Sequence, residues 1–406
     1  MSTTADFDLL SEQFFADPHP TLERLRADAP VYFFEPLQSF IVARAKDIDT
    51  FIKNPAFSSR RVTELLVSLG MLGDDEASKK VLASWSRIVF FQDPPRQTAL
   101  RQFIMKGFSP AAIEHVRPKV AAIVARCLEK ARNEREIDIV ADLAEPTAMG
   151  TLSELFAIPA ADRPKFMQWS TDIVKPAGGG ASSDDVKAAI KRSSNDMIEY
   201  MGRLAEERRK APGDDLVSRF IAEEDQSPEL AGEAVFQSFQ MLLAGYITSM
   251  NQISNAVLAL LRHPGELQKL RDDPALLKGA IEEALRYEPS LISISRLCVE
   301  DTEISGTRIK KGQFVFALAI SANRDPALFT DPDRFDISRA SNRHLTLGLG
   351  LHYCLGATVI RIELEEALRG LLALPRWELT DRPLSYAGSN LQDRGPSSLH
   401  VRFPAA

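Results

Sequence analysis

The sequence is short of cysteine. Among 406 residues there are only three, Cys127, Cys298 and Cys354. No two of them form a CxxC pair or share the close spacing of a disulfide framework, which excludes a finger-type zinc module and a disulfide-stapled secreted scaffold. An excess of basic charge is also missing: 49 Lys and Arg stand against 56 Asp and Glu, a formal net charge of −7, so nothing points to nucleic acid as a partner. The opening MSTTADFDLLSEQFFADPHP holds acids and prolines but no apolar run, which predicts no signal peptide, no membrane anchor and a cytoplasmic location. No Gly/Ser/Pro linker or repeat divides the chain, so residues 1–406 are read as one large unit. What is present, 45% apolar and 26% charged residues, is the composition of a chain that buries a substantial core.

Periodicity makes the fold mainly α with small β-sheets. Val31 to Phe34 and Ser39 to Ala43 alternate as a hairpin, and helical spacing dominates from there to about residue 285. Beyond Leu297, short strands are predicted at Cys298 to Asp301, Thr307 to Ile309 and Phe314 to Ala317, with a turn at Gly306. The longest helix is predicted from Pro228 to His263, stopped by His263 and Pro264, and at 1.5 Å per residue it spans roughly 50 Å. Apolar runs at both ends place it in the interior, yet Gly245, Thr248, Ser249, Asn251 and Gln252 interrupt its centre. Either these polar groups line a cavity or they bond back to the preceding turn, as Thr248 would to the carbonyl of Ala244.

The segment Leu347-Gly-Leu-Gly-Leu-His-Tyr-Cys-Leu-Gly356 carries most of the chemistry. It sets Cys354 just ahead of a helical run, Ala357 to Leu372, where the helix dipole and free N–H groups favour a thiolate. Gly348, Gly350 and Gly356 strip side chains from around the sulfur and open it to a flat, bulky partner. That favours a ligand over a nucleophile, for which His352 offers no assured base. A zinc site of His344, His352 and Cys354 leaves the glycines unexplained and lacks a fourth ligand.

With these residues the sequence resembles the cytochrome P450 family, whose pattern Phe-Gly-x-Gly-x-His/Arg-x-Cys-x-Gly is matched from 347 to 356 except that Leu347 replaces phenylalanine. Glu283-Ala-Leu-Arg286 looks like the family's ExxR, and Ala322-Asn-Arg-Asp-Pro326 with Asp331-Pro-Asp-Arg-Phe335 like the segment that completes its network, with Arg334 as third member. Asp93-Pro-Pro-Arg-Gln-Thr-Ala-Leu-Arg101 is similar to the helix that holds the haem propionates, and Ala244-Gly-Tyr-Ile-Thr248 to the family's oxygen-binding groove. The resemblance implies a P450 fold with a long central helix over haem b, whose iron takes the Cys354 thiolate. Such a thiolate pushes electron density to the metal and favours O–O cleavage. It implies cofactor contacts from Gln97, Arg101, Arg296, Leu347, Gly348, His352 and Gly356, and an oxygen site formed by Ala244, Gly245, Thr248 and Ser249.

The implied activity is a monooxygenase of secondary metabolism acting on an apolar or amphipathic small molecule. Its pocket is expected from residues 60 to 90, Met167 to Ile190 with a Gly178-Gly-Gly180 hinge, Leu291 to Ile294, and Asn390 and Leu391. No flavin or iron–sulfur motif is present, so ferredoxin and ferredoxin reductase are the implied electron donors, docking on a basic patch of Arg96, Lys106 and Arg361. The departure from the family is Ile247, which stands where an acid is usual and holds no proton. It opens the rival reading of a haem-thiolate enzyme of another kind: peroxide-using, nitrogen-oxide reducing, or coupling and rearranging its substrate. A gas sensor is a further rival, but the chain has no segment through which it would signal.

Overall fold

The computed structural model describes residues 7–174, 183–386 and 391–403. Numbered in chain order, the elements used below are β1 (Val31–Phe34), β2 (Ser39–Val42), β3 (Phe57–Ser58), α1 (Arg96–Gly107), α2 (Arg117–Asn133), α3 (Glu145–Phe156), α4 (Asp184–Lys210), α5 (Glu233–Arg262), α6 (Leu277–Tyr287), β4 (Ile294–Cys298), β5 (Phe314–Ala317) and α7 (Ala357–Leu372).

The long helix is α5, and it runs through the largest apolar cluster in contact with α3, α4, α6 and α7. Its end agrees with expectation, since His263 leaves helical geometry at φ −124°. Its start does not. Pro228–Leu230 forms a separate 3₁₀ turn, and Gly232 at φ +80° breaks the backbone before Glu233. The proline is compatible with a helix start but cannot override a left-handed residue four positions later. The helix is therefore 30 residues long, about 45 Å.

Helices make up most of the described chain, and the sheets are small. The largest has strand order β1-β2-β5-β4-β3, in which β2 and β5 run parallel with Ser39 beside Phe314 and the other pairs are antiparallel. The strand expected at Cys298 to Asp301 lies earlier, at Ile294–Cys298, because Arg296 pairs with Val315 and Leu297 with Phe314. Tertiary pairing sets that register, and local propensity does not. Thr307–Ile309 forms as expected and folds back on Thr302–Ile304 through Ser305 and Gly306, both at positive φ. Among the described residues no helix is long and apolar enough to cross a membrane.

Glu283 and Arg286 on α6 are wholly buried. Arg286 grips Glu283 with two donors, Nε to Oε2 at 2.8 Å and Nη2 to Oε1 at 2.7 Å, and uses its others on the carbonyls of Asn323, Pro332 and Arg334. The expected third member is corrected here. Arg334 supplies only its carbonyl, and its exposed side chain reaches Asp336. The side chain that closes on Glu283 is Arg339, with Nε 3.2 Å from Oε2, joined by Asn342 at 2.9 Å and the Asp336 N–H at 2.9 Å. A fixed carboxylate with this many charge-assisted donors ties α6 to the segment leading into the cysteine loop.

Candidate haem and oxygen site

The cysteine loop is built by its glycines and its neighbours. Gly348 and Gly350 take φ +72° and +60°, and a Cβ on Gly348 would lie 3.2 Å from the His352 carbonyl. This left-handed turn lets the Cys354 N–H reach the Leu347 carbonyl at 2.8 Å. Leu347 is buried and joins the main apolar cluster. Cys354 lies two residues before Gly356, the residue that opens α7, and the Gly356 N–H faces its sulfur. Burial pushes its thiol up, while that N–H, Arg361 and Arg101 pull it down.

Two residues of α1 hold this loop by its carbonyls. Gln97 Nε2 donates to Leu351 O at 2.6 Å and Arg101 Nη1 to Tyr353 O at 2.7 Å. His352 Nε2 meets the Ser59 hydroxyl at 3.0 Å. Burial, then Arg296 and Arg61, bring its pKa down to about 4, so the imidazole is neutral at pH 7. Arg296 is buried on β4 and donates to its neighbour's carbonyl, Ser295 O, at 2.8 Å.

Sequence reasoning missed Arg61. It is buried, donates to Ser59 O at 2.9 Å and lies 4.8 Å from the ring centres of both Phe90 and Phe91. Burial and the neighbouring Arg296 press its pKa well down. Only the buried cluster singles it out, because Arg60-Arg61 in sequence is an ordinary basic pair. Asp93 is the carboxylate set against these cations, and it is already bonded to the Ser59 N–H and the Ser58 hydroxyl. Arg61 and Arg296, with half-buried Arg101 nearby, therefore carry more positive charge into the interior than Asp93 balances, and buried charge of one sign requires a counter-charge. A dianionic group with a flat body, such as haem b, fits this chemistry. His344 and His352, once candidates for zinc with Cys354, point to different partners, Glu282 and Ser59.

On α5 the motif divides by face. Ala244 is exposed although it sits mid-helix in the core, so this face meets an open space. The Thr248 hydroxyl donates to Ala244 O at 2.5 Å, the back-bond that the sequence allowed. Gly245 has a packing role: a Cβ there would lie 2.9 Å from Leu152 of α3. Ile247 is buried, and Tyr246 donates to Glu145 at 2.5 Å. Asn251, Gln252 and Asn255 do not line a groove. They bond to Asp393, Glu288 O and Arg394 O, fastening α5 to the chain after α6 and to the C-terminal turn.

Ser249 turns toward α7, where it and Thr151 lie near buried Glu363, a residue with no signal in the sequence. Burial raises Glu363 to about 8. The folded protein then holds a proton that the unfolded chain releases, so this group makes stability fall as pH rises from the ordinary carboxylate range toward 8. Glu363→Gln should flatten that part of the pH–stability profile in chemical denaturation.

The expected basic patch is corrected. Arg96 pairs with Glu233 at 2.5 Å, Lys106 with Glu223 at 3.1 Å, and Arg361 with Glu282 at 2.6 and 3.0 Å. Of the expected pocket, Ile292 and Leu391 are fully buried in a separate apolar cluster with Phe14 and Phe15. The Gly178–Gly180 hinge and Asn390 lie outside the described residues.

A profile described as Cytochrome P450 matches residues 61–391. Cytochrome P450 CYP107DY1 of Priestia megaterium is 34% identical over 90% of each chain, and Cyclomarin C epoxidase CymV of Salinispora arenicola is 33% identical over 95% of each. The crystal structure of CalO2 superposes with a TM-score of 0.89 at 30% identity, covering 98% of both chains. The buried cation surplus, the glycine-bent cysteine loop and the long core helix thus find their place together: this chain belongs to the cytochrome P450 family of haem-thiolate oxidoreductases.

Proposed function

We propose that this P450 is an oxygen-activating monooxygenase that inserts one oxygen atom into an apolar or amphipathic secondary metabolite, with electrons from ferredoxin and ferredoxin reductase in the cytoplasm. The observation that carries the reading is the convergence of Arg61, Arg101, Arg296 and His352 beside the Cys354 loop. Arg61, Arg101, Arg296 and His352 would hold the two haem propionates, and Cys354 would supply the thiolate that binds the iron. Gln97, Leu347, Gly348 and Gly356 shape and fasten the loop that presents it. Bound there, haem supplies the activation of dioxygen.

The rest falls to the protein. Ala244 and Thr248 border the oxygen side, and Thr248 Oγ1 keeps lone pairs free to orient a water while its hydrogen is engaged by Ala244 O. The substrate class is supported by relatives named for cyclomarin C epoxidation and for polyketide biosynthesis. The donor's approach is supported by exposed Leu351, at 53%, and Tyr353 beside Cys354. With the nearby cations internally paired, docking there relies on apolar contact more than on charge.

Buried Ile247 and the committed Thr248 hydrogen favour the second reading, an enzyme that uses peroxide or runs radical coupling. Product formed per reductant consumed, with oxygen and separately with hydrogen peroxide, decides between them. For a monooxygenase, Thr248→Ala and the Thr248/Ser249 double alanine variant should lose oxygen-driven product by roughly 10²- to 10⁴-fold and leak peroxide, the range of general acid–base assistance. Ile247→Asp should hold or raise turnover. Product seen only with peroxide, or an Ile247→Asp variant that loses activity through its buried charge, would establish the other reading.

A further inference from the structure

Two glutamines of α5, Gln237 and Gln240, hold the 3₁₀ turn Val89–Phe91 against the first half of the helix. Gln237 is wholly buried and uses both ends of its amide. Its Oε1 takes the Val89 N–H at 3.1 Å, and its Nε2 reaches Arg87 O at 3.1 Å and the Glu233 carboxylate at 2.7 Å. Gln240 uses only one end. Its Oε1 takes the Phe90 N–H at 3.1 Å, and among the described residues no acceptor meets its Nε2. A backbone N–H can only donate, so the amide oxygen faces Phe90 and the two Nε2 hydrogens face away from it. Turning the amide over would strand the Phe90 N–H, so the donor is fixed in place.

The face that carries Gln240 is the one that carries the oxygen groove. Gln240, Ala244 and Thr248 follow one another at four-residue spacing along one side of α5. Ala244 is exposed in the middle of the core, and Gln240 and Thr248 are half-buried beside the same open space. Phe90 borders an opening as well. Its ring is 40% exposed although it packs against buried Arg61 at 4.8 Å and against Phe91. Half-buried Leu243, three residues from Gln240, continues this apolar wall. An uncommitted donor in an apolar wall discriminates among molecules, because a ligand without an acceptor leaves it desolvated and unpaired.

We infer that Gln240 is a specificity-determining residue whose Nε2 donates to an oxygen of the substrate. The substrate is then an apolar skeleton bearing a carbonyl, ester or ether oxygen, and a plain hydrocarbon is disfavoured. This rests on the monooxygenase reading above, which puts the substrate on the Ala244 and Thr248 side of α5. Gln240 stands one turn before Ala244, about 6 Å along the helix axis. An oxygen anchored there fixes which stretch of the skeleton lies beside Ala244 and Thr248, and the bond to Phe90 means that the donor needs no reordering when the substrate enters.

Matched pairs of ligands test this: cyclododecanone against cyclododecane, and pentadecanolide against cyclohexadecane. Each is titrated into the haem-loaded protein at pH 8 without reductant and followed by the Soret shift on ligand entry. The oxygen-bearing member should bind the wild type about tenfold more tightly, the worth of pairing a donor that is otherwise left unpaired. Gln240→Met should abolish the preference and bind the hydrocarbons at least as well as the wild type does. Gln240→Glu keeps an acceptor for the Phe90 N–H, so its denaturation midpoint should stay near that of the wild type. Ionised at pH 8, it has no donor, and it should lose the preference too. A glutamine that only props the Val89–Phe91 turn gives the opposite pattern, with Gln240→Glu restoring what Gln240→Met loses. That pattern overturns the assignment, as do ketone and lactone that bind the wild type no more tightly than the hydrocarbons, or a preference that survives in both variants. Binding is read here without electrons or oxygen. Product formed only with peroxide would therefore overturn the oxygen-driven reading without altering this contrast, and the two failures are told apart.

Discussion

Replacing Cys354 with alanine should abolish the thiolate-specific Soret band that the reduced, carbon-monoxide-treated protein is expected to show, and with it all oxygen-driven turnover. Cys127→Ala and Cys298→Ala should leave the band in place. The three cysteines differ in surroundings and not in intrinsic chemistry. Cys127 is half-buried on α2, where burial pushes its thiol up. Cys298 ends β4, wholly buried, with its sulfur 3.0 Å from Glu300 O. Only Cys354 combines a glycine-bent loop, a helix start behind it and cations in front, and a thiol that coordinates a metal is deprotonated outright, its proton released to solvent. A normal carbon monoxide spectrum from the Cys354→Ala protein would overturn the assignment.

The second large effect is expected at Glu283. Glu283→Ala leaves Arg286 buried without its carboxylate and strands Arg339, Asn342 and the Asp336 N–H together. Removing one partner of a buried pair costs about 3 to 5 kcal/mol, a large share of the roughly 5 to 15 kcal/mol that holds a native protein. The variant should be recovered insoluble or without haem. Arg286→Lys should fare little better, since a lysine cannot serve two carboxylate oxygens and three carbonyls in one plane. Haem content and the denaturation midpoint report the outcome. A soluble, haem-replete Glu283→Ala protein would show that the pair contributes little.

Much of the site was legible because its residues lie close together in sequence or in rigid local geometry. The cysteine loop fits within ten residues, and glycine in left-handed turns is a backbone requirement that survives without context. The Thr248 back-bond to Ala244 follows from helix periodicity alone. Glu283 and Arg286 share one helix face at three residues' spacing, but spacing does not tell a buried pair from a solvated one. Burial decided that, as it decided that Arg339 and not Arg334 closes the network.

The sequence by itself determined the elements whose signals are local: the central helix and its stop at His263, the strand Phe314–Ala317, the helix Ala357–Leu372 and the glycine-framed Cys354. Tertiary structure alone decided which distant side chains meet. Arg61 and Arg296 come together with His352 from three separate segments, and Ser249, Thr151 and Glu363 gather from three helices. The cations expected as a docking patch found carboxylates of their own. The physical reason is that a charge's effect depends on its distance to other charges and on its access to water. Both are properties of the folded chain, and neither is written in the spacing of residues along it.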